Sequence, residues 1–293
     1  MGTYQIKPWE ELTIKDDYMF KLVMRRKPIC KRMLERILNI EIRDIRYLDE
    51  EKTMKATYQG KGIRLDLYVE DEKNTVYNVE MQVRKPEGAG LYKRTRYYQS
   101  MIDADLLAAG ADYDELNQTI IIFICPFEPF AQGRHIYTFR NQCVEDSKLE
   151  LGDGTTKIFL NSKGTLNDVD ERVKAFLNYV EGVLSDDELV REMEQEIHRM
   201  KRMETERVSY MTYEMKLMDE WKEGRKDGWK AGREKGREEG REEGLKAGSE
   251  RAYWTMALDM LRDSEPLDRI VKYSRLSAEK IAEIAKENGL AVH

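Results

Sequence analysis

Apolar residues recur with helical spacing in some stretches of the chain and with β-strand spacing in others. Between residues 16 and 38 they return every three or four positions, which predicts two short helices, the second with Pro28 in its first turn. Residues 42–48 (IRDIRYL) predict a strand. From Ile63 to Val83 apolar and polar residues alternate, which predicts two antiparallel strands joined by an acidic turn at residues 70–74.

The next segments predict a crossover helix and a buried strand. A long helix is expected over residues 91–109, ended by Gly110, and residues 118–125 (QTIIIFIC) have the β-branched character of a strand buried on both faces. Short strands are expected at residues 135–141 and 156–160, with a glycine-containing turn at 152–154 between them. Beyond Asn167 every strong pattern is helical. The order predicts an α/β core followed by an all-helical C-terminal extension.

A repeat interrupts the helical extension, because glycine returns at every fourth position from Gly224 to Gly248 among Lys, Arg and Glu residues. As a helix these glycines would cost roughly 7 kcal/mol relative to alanine, and i,i+4 ion pairs would return only about 0.3 kcal/mol each. The segment is therefore either a flexible polar linker or a helix ordered by self-association. The last residues predict a helical hairpin, with Ser277 as an N-cap and Gly289 past the end.

Composition narrows the class of protein. The chain has 293 residues with 50 Lys+Arg against 56 Asp+Glu, and 36% of its residues are charged, so we expect a compact part and a solvated part. The longest apolar run is about half a bilayer-spanning length and no leader pattern opens the chain, which predicts a soluble, cytoplasmic protein without membrane contact. Three distant cysteines indicate reduced thiols, and three histidines exclude HExxH zinc chemistry. Any catalysis therefore depends on carboxylates.

Acidic residues share one face of the predicted hairpin. If Val69 pairs with Thr75, Asp66 lies diagonally from Glu80, and Gln82 follows one step further along the same face. Two carboxylates and an amide on rigid strands suit Mg²⁺, which prefers oxygen ligands and would neutralise phosphate charge and activate a water. A sheet with one solvated face shows the same alternation, and there Arg64 and Glu80 would simply form a cross-strand ion pair.

Five segments together carry a resemblance to a known family. In chain order they are LTIKDDYMFK, the Leu65–Asp66 pair, the EMQ triplet at residues 80–82, the helix YKRTRYYQSMIDADLLAAGADYDEL and the strand QTIIIFIC. Over residues 10–165 the chain resembles the PD-(D/E)XK nuclease superfamily, and more narrowly its recombination-promoting nuclease (Rpn) or putative transposase branch. The glycine-punctuated tail with a terminal helical pair is also similar to members of that branch.

The resemblance implies a fold and an activity. The fold is a restriction-endonuclease-like αβββαβ core with a mixed central sheet, and the activity is that of a metal-dependent DNA endonuclease linked to recombination or mobile elements. Asp66 and Glu80 correspond to the metal ligands, with Mg²⁺ or Mn²⁺ as the cofactor. Asp17, in the D-x-x-F-K pattern, matches an acidic position that joins the site. Gln82 stands where the superfamily usually has lysine, and it would position the attacking water.

Glutamine cannot supply positive charge to a developing oxyanion, so another cation must do so. Arg94 and Arg96 on the long helix are candidates for contacting phosphate, as are Arg84 and Lys85 after the strand; each could equally be a structural or solvated charge. A second group of cations surrounds the break between the first two helices and is either a DNA-binding surface or a solvated corner. Its members are Arg25, Arg26, Lys27, Lys31 and Arg32.

The sequence therefore predicts four regions and leaves two functions open. The regions are a nuclease-like domain (1–165), a helical region (166–222), the charged glycine repeat (223–250) and a terminal helical hairpin (251–293). The first function is DNA cleavage, with no small-molecule cofactor. The alternative is a catalytically weak, nuclease-fold DNA-binding or assembly module that self-associates through its helical tail into a homo-oligomer. RNA as the substrate is not excluded by the motif.

Overall fold

The computed structural model describes residues 4–49, 53–54, 62–86 and 88–293. The chain divides into two compact units, one ending at Glu214 and the other comprising Met215–His293. Helices of the described chain are α1 (Asp17–Met24), α2 (Lys27–Leu38), α3 (Gly90–Leu106), α4 (Glu171–Val180), α5 (Glu188–Lys201), α6 (Glu204–Arg262), α7 (Leu267–Ser274) and α8 (Ala278–Glu287). Strands are β1 (Ile45–Asp49), β2 (Thr53–Met54), β3 (Ile63–Arg64), β4 (Leu67–Asp71), β5 (Val76–Met81), β6 (Thr119–Cys125), β7 (Ile136–Phe139) and β8 (Thr155–Asn161).

The first unit is built on a mixed six-stranded sheet, in the order β1-β4-β5-β6-β8-β7. β5, β6 and β8 run parallel to one another, while β1, β4 and β7 run antiparallel to their neighbours. Parallel neighbours need a crossover, and α3 supplies the one between β5 and β6. Helices α1, α2, α4 and α5 pack on one face of the sheet and α3 packs on the other. The α/β fold class with its mixed sheet is confirmed.

The two predicted N-terminal helices are present. Pro28 lies in the first turn of α2, where its missing N–H costs no hydrogen bond, and Asn39 ends the helix in the left-handed conformation with φ of 52°. The predicted long helix and the later strands also form, with ends that differ from the expected ones by a few residues.

The hairpin differs from its prediction in two ways. First, the alternation from residue 63 onward is not one strand, because β3 pairs with β2 and the chain re-enters the main sheet only at Leu67. Ile63 and Leu65 therefore pack on the α3 side, whereas Leu67 and Val69 pack on the opposite side, and the expectation that all four share a face is wrong.

Second, the register is two residues away from the predicted one. Val69 pairs with Tyr77 rather than Thr75, since β4 continues to Asp71 before the chain turns. The Asp71 carboxylate accepts hydrogen bonds from the amides of Lys73 and Thr75, both at 2.8 Å, which closes the turn at that point. A shift of two residues preserves side-chain parity within β4 and β5, so Tyr68 and Asn78, which pair with each other, remain on the same face.

The glycine repeat is helical, which resolves the choice between helix and linker. All seven glycines from Gly224 to Gly248 lie inside α6, and a Cβ added at any of them would have no neighbour within 4 Å. Local side-chain contacts support the helix. Lys235 forms an ion pair with Glu239 at 3.6 Å, and the Arg233 guanidinium lies 5.4 Å from the centre of the Trp229 ring in a cation–π contact. The glycines are therefore not packed against any described part of this chain.

The second unit ends in the predicted helical hairpin. Ser277 caps α8 by accepting a hydrogen bond from the Lys280 amide at 3.3 Å, and Gly289 follows the helix with φ of 68°. Ile270 of α7 and Ile281 of α8 are fully buried with the end of α6 in a small core. None of the helices in the described part of the chain is both long and apolar enough to cross a membrane.

Candidate active site

The hairpin β4–β5 brings Asp66 and Glu80 together. Asp66 directly precedes Leu67, the first residue of β4, which pairs with Val79 of β5, and this brings Asp66 next to Glu80. The Asp66 amide donates to Glu80 Oε1 at 3.2 Å, and the Met81 amide donates to Asp66 Oδ2 at 3.2 Å. The two side chains thus lie next to each other, one just before β4 and the other on β5.

Helix α1 adds two charged side chains to this pair. Asp66 lies at the break between β3 and β4, and its Oδ1 is 3.0 Å from Lys21 Nζ. The same Nζ lies 3.1 Å from Asp17 Oδ2, one helical turn earlier. Lys21 is only 8% exposed. The site is therefore a group of three carboxyl groups with a buried ammonium between two of them.

Burial and crowding alter the protonation of these groups. Burial, together with the Asp17 charge, raises the pKa of Asp66 to about 7. Burial and then the Asp66 charge raise the pKa of Glu80 well above its ordinary value. Burial also acts on Asp17, but the Lys21 ammonium and neighbouring hydrogen bonds outweigh it and lower the Asp17 pKa. The two hairpin carboxyl groups thus have too little nearby positive charge to ionise together at neutral pH.

The donor set fits a hard divalent cation held by few protein ligands. Oxygen ligands and a deficit of positive charge are what Mg²⁺ and Mn²⁺ require, and Mg²⁺ is commonly bound through only one or two carboxylates. Among the described residues, no group of three or more His, Cys, Asp or Glu side chains is arranged around a single metal position. A cation here would therefore depend on Asp66 and Glu80, with water or phosphate completing its coordination.

Gln82 and Arg94 form a pair at the end of β5. Gln82 Oε1 accepts a hydrogen bond from Arg94 Nη2, and its Nε2 donates to the Arg84 carbonyl, so both ends of the amide are engaged. The Arg94 guanidinium lies 4.8 Å from the centre of the Phe123 ring, and its charge offsets part of the upward shift in the Glu80 pKa. The structure thus places Gln82 against Arg94, while Arg96 is exposed on the far side of α3.

The predicted basic surface near the helix break is largely ion-paired. Arg26 lies 3.7 Å from Glu196, Lys27 lies 2.6 Å from Asp44, and Lys31 lies 3.2 Å from Glu35. Arg32 contacts Glu188 and Glu192 of α5 at 3.5 and 3.0 Å. Arg25 is exposed at the end of α1. Four of these five cations therefore lie beside carboxylates of the same chain, and their contact with DNA stays a prediction.

Two residues of the site were not predicted from the sequence. Lys21 belongs to the D-x-x-F-K pattern, and its position four residues after Asp17 on a helix could have identified it as a neighbour of that carboxylate. Tyr213, whose hydroxyl donates to Asp17 Oδ2 at 2.9 Å, comes from the start of α6 and has no signal in the sequence. Lysine is missing at the Gln82 position, yet a buried lysine reaches the site from α1.

The fold and the site together define a class. A mixed sheet with the core order α2-β1-β4-β5-α3-β6, and two carboxylates from neighbouring strands beside a lysine, is a PD-(D/E)XK nuclease-like architecture. The chain belongs to the PD-(D/E)XK nuclease family transposases, since the model of that family matches residues 14–231. No curated protein matches the chain significantly. No solved structure does so either. The family resemblance drawn from the sequence is confirmed.

Proposed function

We propose that the protein is a metal-dependent DNA endonuclease that hydrolyses phosphodiester bonds in recombination or in the movement of mobile elements. The observation that carries this proposal is the Asp66–Glu80 pair, in which half-buried Asp66 at the start of β4 lies next to buried Glu80 of β5 and 3.0 Å from Lys21. Membership of a family of nuclease-like transposases supports DNA as the substrate. A cytoplasmic location is proposed as well, which the three free thiols Cys30, Cys125 and Cys143 support.

Each side chain of the site has a role in this proposal. Asp66 and Glu80 would hold Mg²⁺ or Mn²⁺, which when bound would neutralise phosphate charge and lower the pKa of a water. Water attacks the phosphorus, the bond to the leaving oxygen breaks, and negative charge grows on the phosphate oxygens. Lys21 Nζ is held within 3.0 Å of Asp66 and is the nearest ammonium to that charge.

Asp17 and Arg94 act from the two sides of the pair. Asp17 keeps the Lys21 ammonium beside Asp66, so that Lys21 remains in place when Asp66 also binds a cation. Arg94, held by Gln82, provides a second positive charge next to Glu80. In this arrangement Gln82 orients the Arg94 guanidinium. The superfamily obtains positive charge from a lysine at the Gln82 position, and here that charge comes from Lys21 and Arg94.

Plasmid cleavage tests the proposal. Supercoiled DNA is incubated with Mg²⁺ or Mn²⁺ and either wild type, Asp66→Asn, Glu80→Gln or the control Asp71→Asn, with folding checked by circular dichroism. Loss of metal-assisted stabilisation is expected to lower the cleavage rate on the order of 10²–10³-fold in the first two variants and to leave the control near wild type. Equal cutting by all four proteins would remove this site from consideration.

A second candidate function is assembly through the helical tail. The exposed face of α6 carries apolar side chains such as Trp229, which is 63% exposed, and a Cβ built at any of the seven glycines would meet no other described part of the chain within 4 Å. Deleting the residues after Asp219 is expected to change the sedimentation mass more than the cleavage rate. An identical mass with and without the tail would contradict assembly through this segment.

A further inference from the structure

The start of α6 packs against the first unit through aromatic side chains. Tyr210 is 1% exposed, and its ring centre lies 5.5 Å from that of Trp9 and 5.2 Å from that of Tyr18. Its hydroxyl donates to the Lys7 carbonyl at 2.7 Å. This turn of α6 is therefore anchored in the first unit by burial and by a hydrogen bond that does not involve the site.

Tyr213 lies one helical turn further along and contacts the site directly. Its hydroxyl donates to Asp17 Oδ2 at 2.9 Å, while its ring packs 5.2 Å from the Tyr18 ring and lies under the Arg64 guanidinium at 5.0 Å. Asp17 Oδ2 is the same oxygen that contacts Lys21 Nζ at 3.1 Å. Two donors from different parts of the chain thus converge on one carboxylate oxygen.

Three groups restrain the Asp17 carboxylate: the Lys21 ammonium, a hydrogen bond with the Asp66 carboxyl group, and the Tyr213 hydroxyl. Asp17 is the first residue of α1, a position where helices fray, and its side chain is 36% exposed. Lys21 is close enough to restrain it, but Lys21 is shared with Asp66. A tyrosine hydroxyl fixed on a second, well-packed helix adds a restraint that does not depend on the charge state of Asp66.

We propose that Tyr213 is a positioning residue for the nuclease site: its hydroxyl fixes the Asp17 carboxylate, which in turn holds the Lys21 ammonium against Asp66. This inference rests on the proposed function of that site. It also makes the beginning of α6 part of the catalytic unit, well beyond residue 165, where the nuclease-like region was expected to end. The family match, which extends to residue 231, includes this turn.

The chain offers a matched pair of variants for the test. Tyr213→Phe removes the hydroxyl that donates to Asp17, and Tyr210→Phe removes a hydroxyl on the same helix that donates to the Lys7 backbone carbonyl. Each full-length variant is compared with wild type in two measurements. Plasmid cleavage with Mg²⁺ gives kcat and KM, and electron paramagnetic resonance of added Mn²⁺, without DNA, gives the metal affinity.

Positioning predicts that Tyr213→Phe lowers kcat by about tenfold with little change in KM, as is typical for groups that orient metal-site ligands. Mn²⁺ affinity should fall by about threefold to tenfold for the same reason. Tyr210→Phe should match wild type in both measurements, even where its melting temperature falls as much as that of Tyr213→Phe.

The remaining outcomes separate this inference from the proposed function. Cleavage and Mn²⁺ binding that are the same in Tyr213→Phe, Tyr210→Phe and wild type would overturn the positioning role and leave the nuclease intact. Wild type that binds Mn²⁺ without cutting DNA would remove the nuclease, and the Mn²⁺ affinities of the variants would still decide the role of Tyr213. Wild type that neither binds Mn²⁺ nor cuts would overturn both.

Discussion

Two aspartates mark the two ends of β4, half-buried Asp66 just before the strand and buried Asp71 as its last residue, and their surroundings are very different. Asp71 accepts hydrogen bonds from the Lys73 and Thr75 amides at 2.8 Å and from the Tyr77 hydroxyl at 2.6 Å. Asp66, five residues earlier, lies beside two further carboxyl groups, with Lys21 as its main positive partner. Asp71 is satisfied by neutral donors, whereas Asp66 belongs to a group with more negative charge than its partners compensate.

The kind of hydrogen-bond and charge partners distinguishes a structural carboxylate from a functional one. Neutral donors in a turn fix a backbone conformation and leave no capacity for a ligand. A crowded group of carboxyl groups is costly in an empty protein and becomes favourable only when a cation enters. Four measurements test whether the two ends of the strand differ in this way.

The largest effect is expected on removing the counter-charge at the Asp66 end. Lys21→Met leaves Asp17 and Asp66 without their buried ammonium, and we expect a loss of about 3–5 kcal/mol in the free energy of unfolding at pH 8. Lys31→Met, which breaks a half-buried i,i+4 pair with Glu35 on one helix, is the control and should cost about 0.5 kcal/mol or less. Urea unfolding measures both, and equal losses would show that Lys21 is an ordinary surface charge.

The next effect is on the pH dependence of stability. Because the folded-state pKa of Asp66 is raised from 3.8 to about 7, folding favours its protonated form, and its contribution to stability is lost as pH rises from about 4 to about 7. Metal-free wild type should therefore lose on the order of 3 kcal/mol relative to Asp66→Asn across this window. Parallel stability curves for the two proteins would contradict the crowded-carboxylate description.

A smaller effect is expected at the other end of the strand. Asp71→Ala removes the acceptor of three hydrogen bonds and leaves buried donors unpaired, which should lower the free energy of unfolding by roughly 1–3 kcal/mol. Below its reduced melting temperature the variant should bind Mn²⁺ as wild type does. A loss of Mn²⁺ binding in the folded variant would show that the two ends are not independent.

The smallest effect is stabilisation by the cation itself. Mg²⁺ at ten times its dissociation constant should raise the free energy of unfolding by about 1.4 kcal/mol, and a chelator should reverse the change. Asp66→Asn should abolish this response, while Lys31→Met should keep it. Calorimetry with and without Mg²⁺ provides the measurement, and an unchanged response in Asp66→Asn would locate the cation elsewhere.

Much of the fold follows from local patterns. The helices around Pro28, the QTIIIFIC strand and the Ser277 cap were predictable because each depends on spacing within a dozen residues. The hairpin register was not, because it is set by the Asp71 side chain in the turn and not by the alternation of apolar residues. The sequence could bring Asp66 near Glu80 without fixing their arrangement, because Asp66 lies at the break before β4.

The site was predictable only within one hairpin. Lys21 and Tyr213 reach Asp17 or Asp66 from α1 and α6, and contacts between elements far apart in sequence leave no periodic signature. The cations around the break between α1 and α2 show the same limit. In the sequence they looked free to bind phosphate, but the fold brings acidic side chains to them. Arg32, for example, contacts two glutamates of α5.

The length of the turn at residues 71–75 determines how β4 and β5 align. It therefore determines how Asp66 and Glu80 are placed at the opposite end of the hairpin. One residue added to or removed from this connection would turn Asp66 onto the other face of the sheet. Two residues would keep the face but slide the strands by one pleat repeat, about 7 Å, and part Asp66 from Glu80. Loop-length variants of this short connection would therefore tune or dismantle the acidic centre without altering any of its side chains.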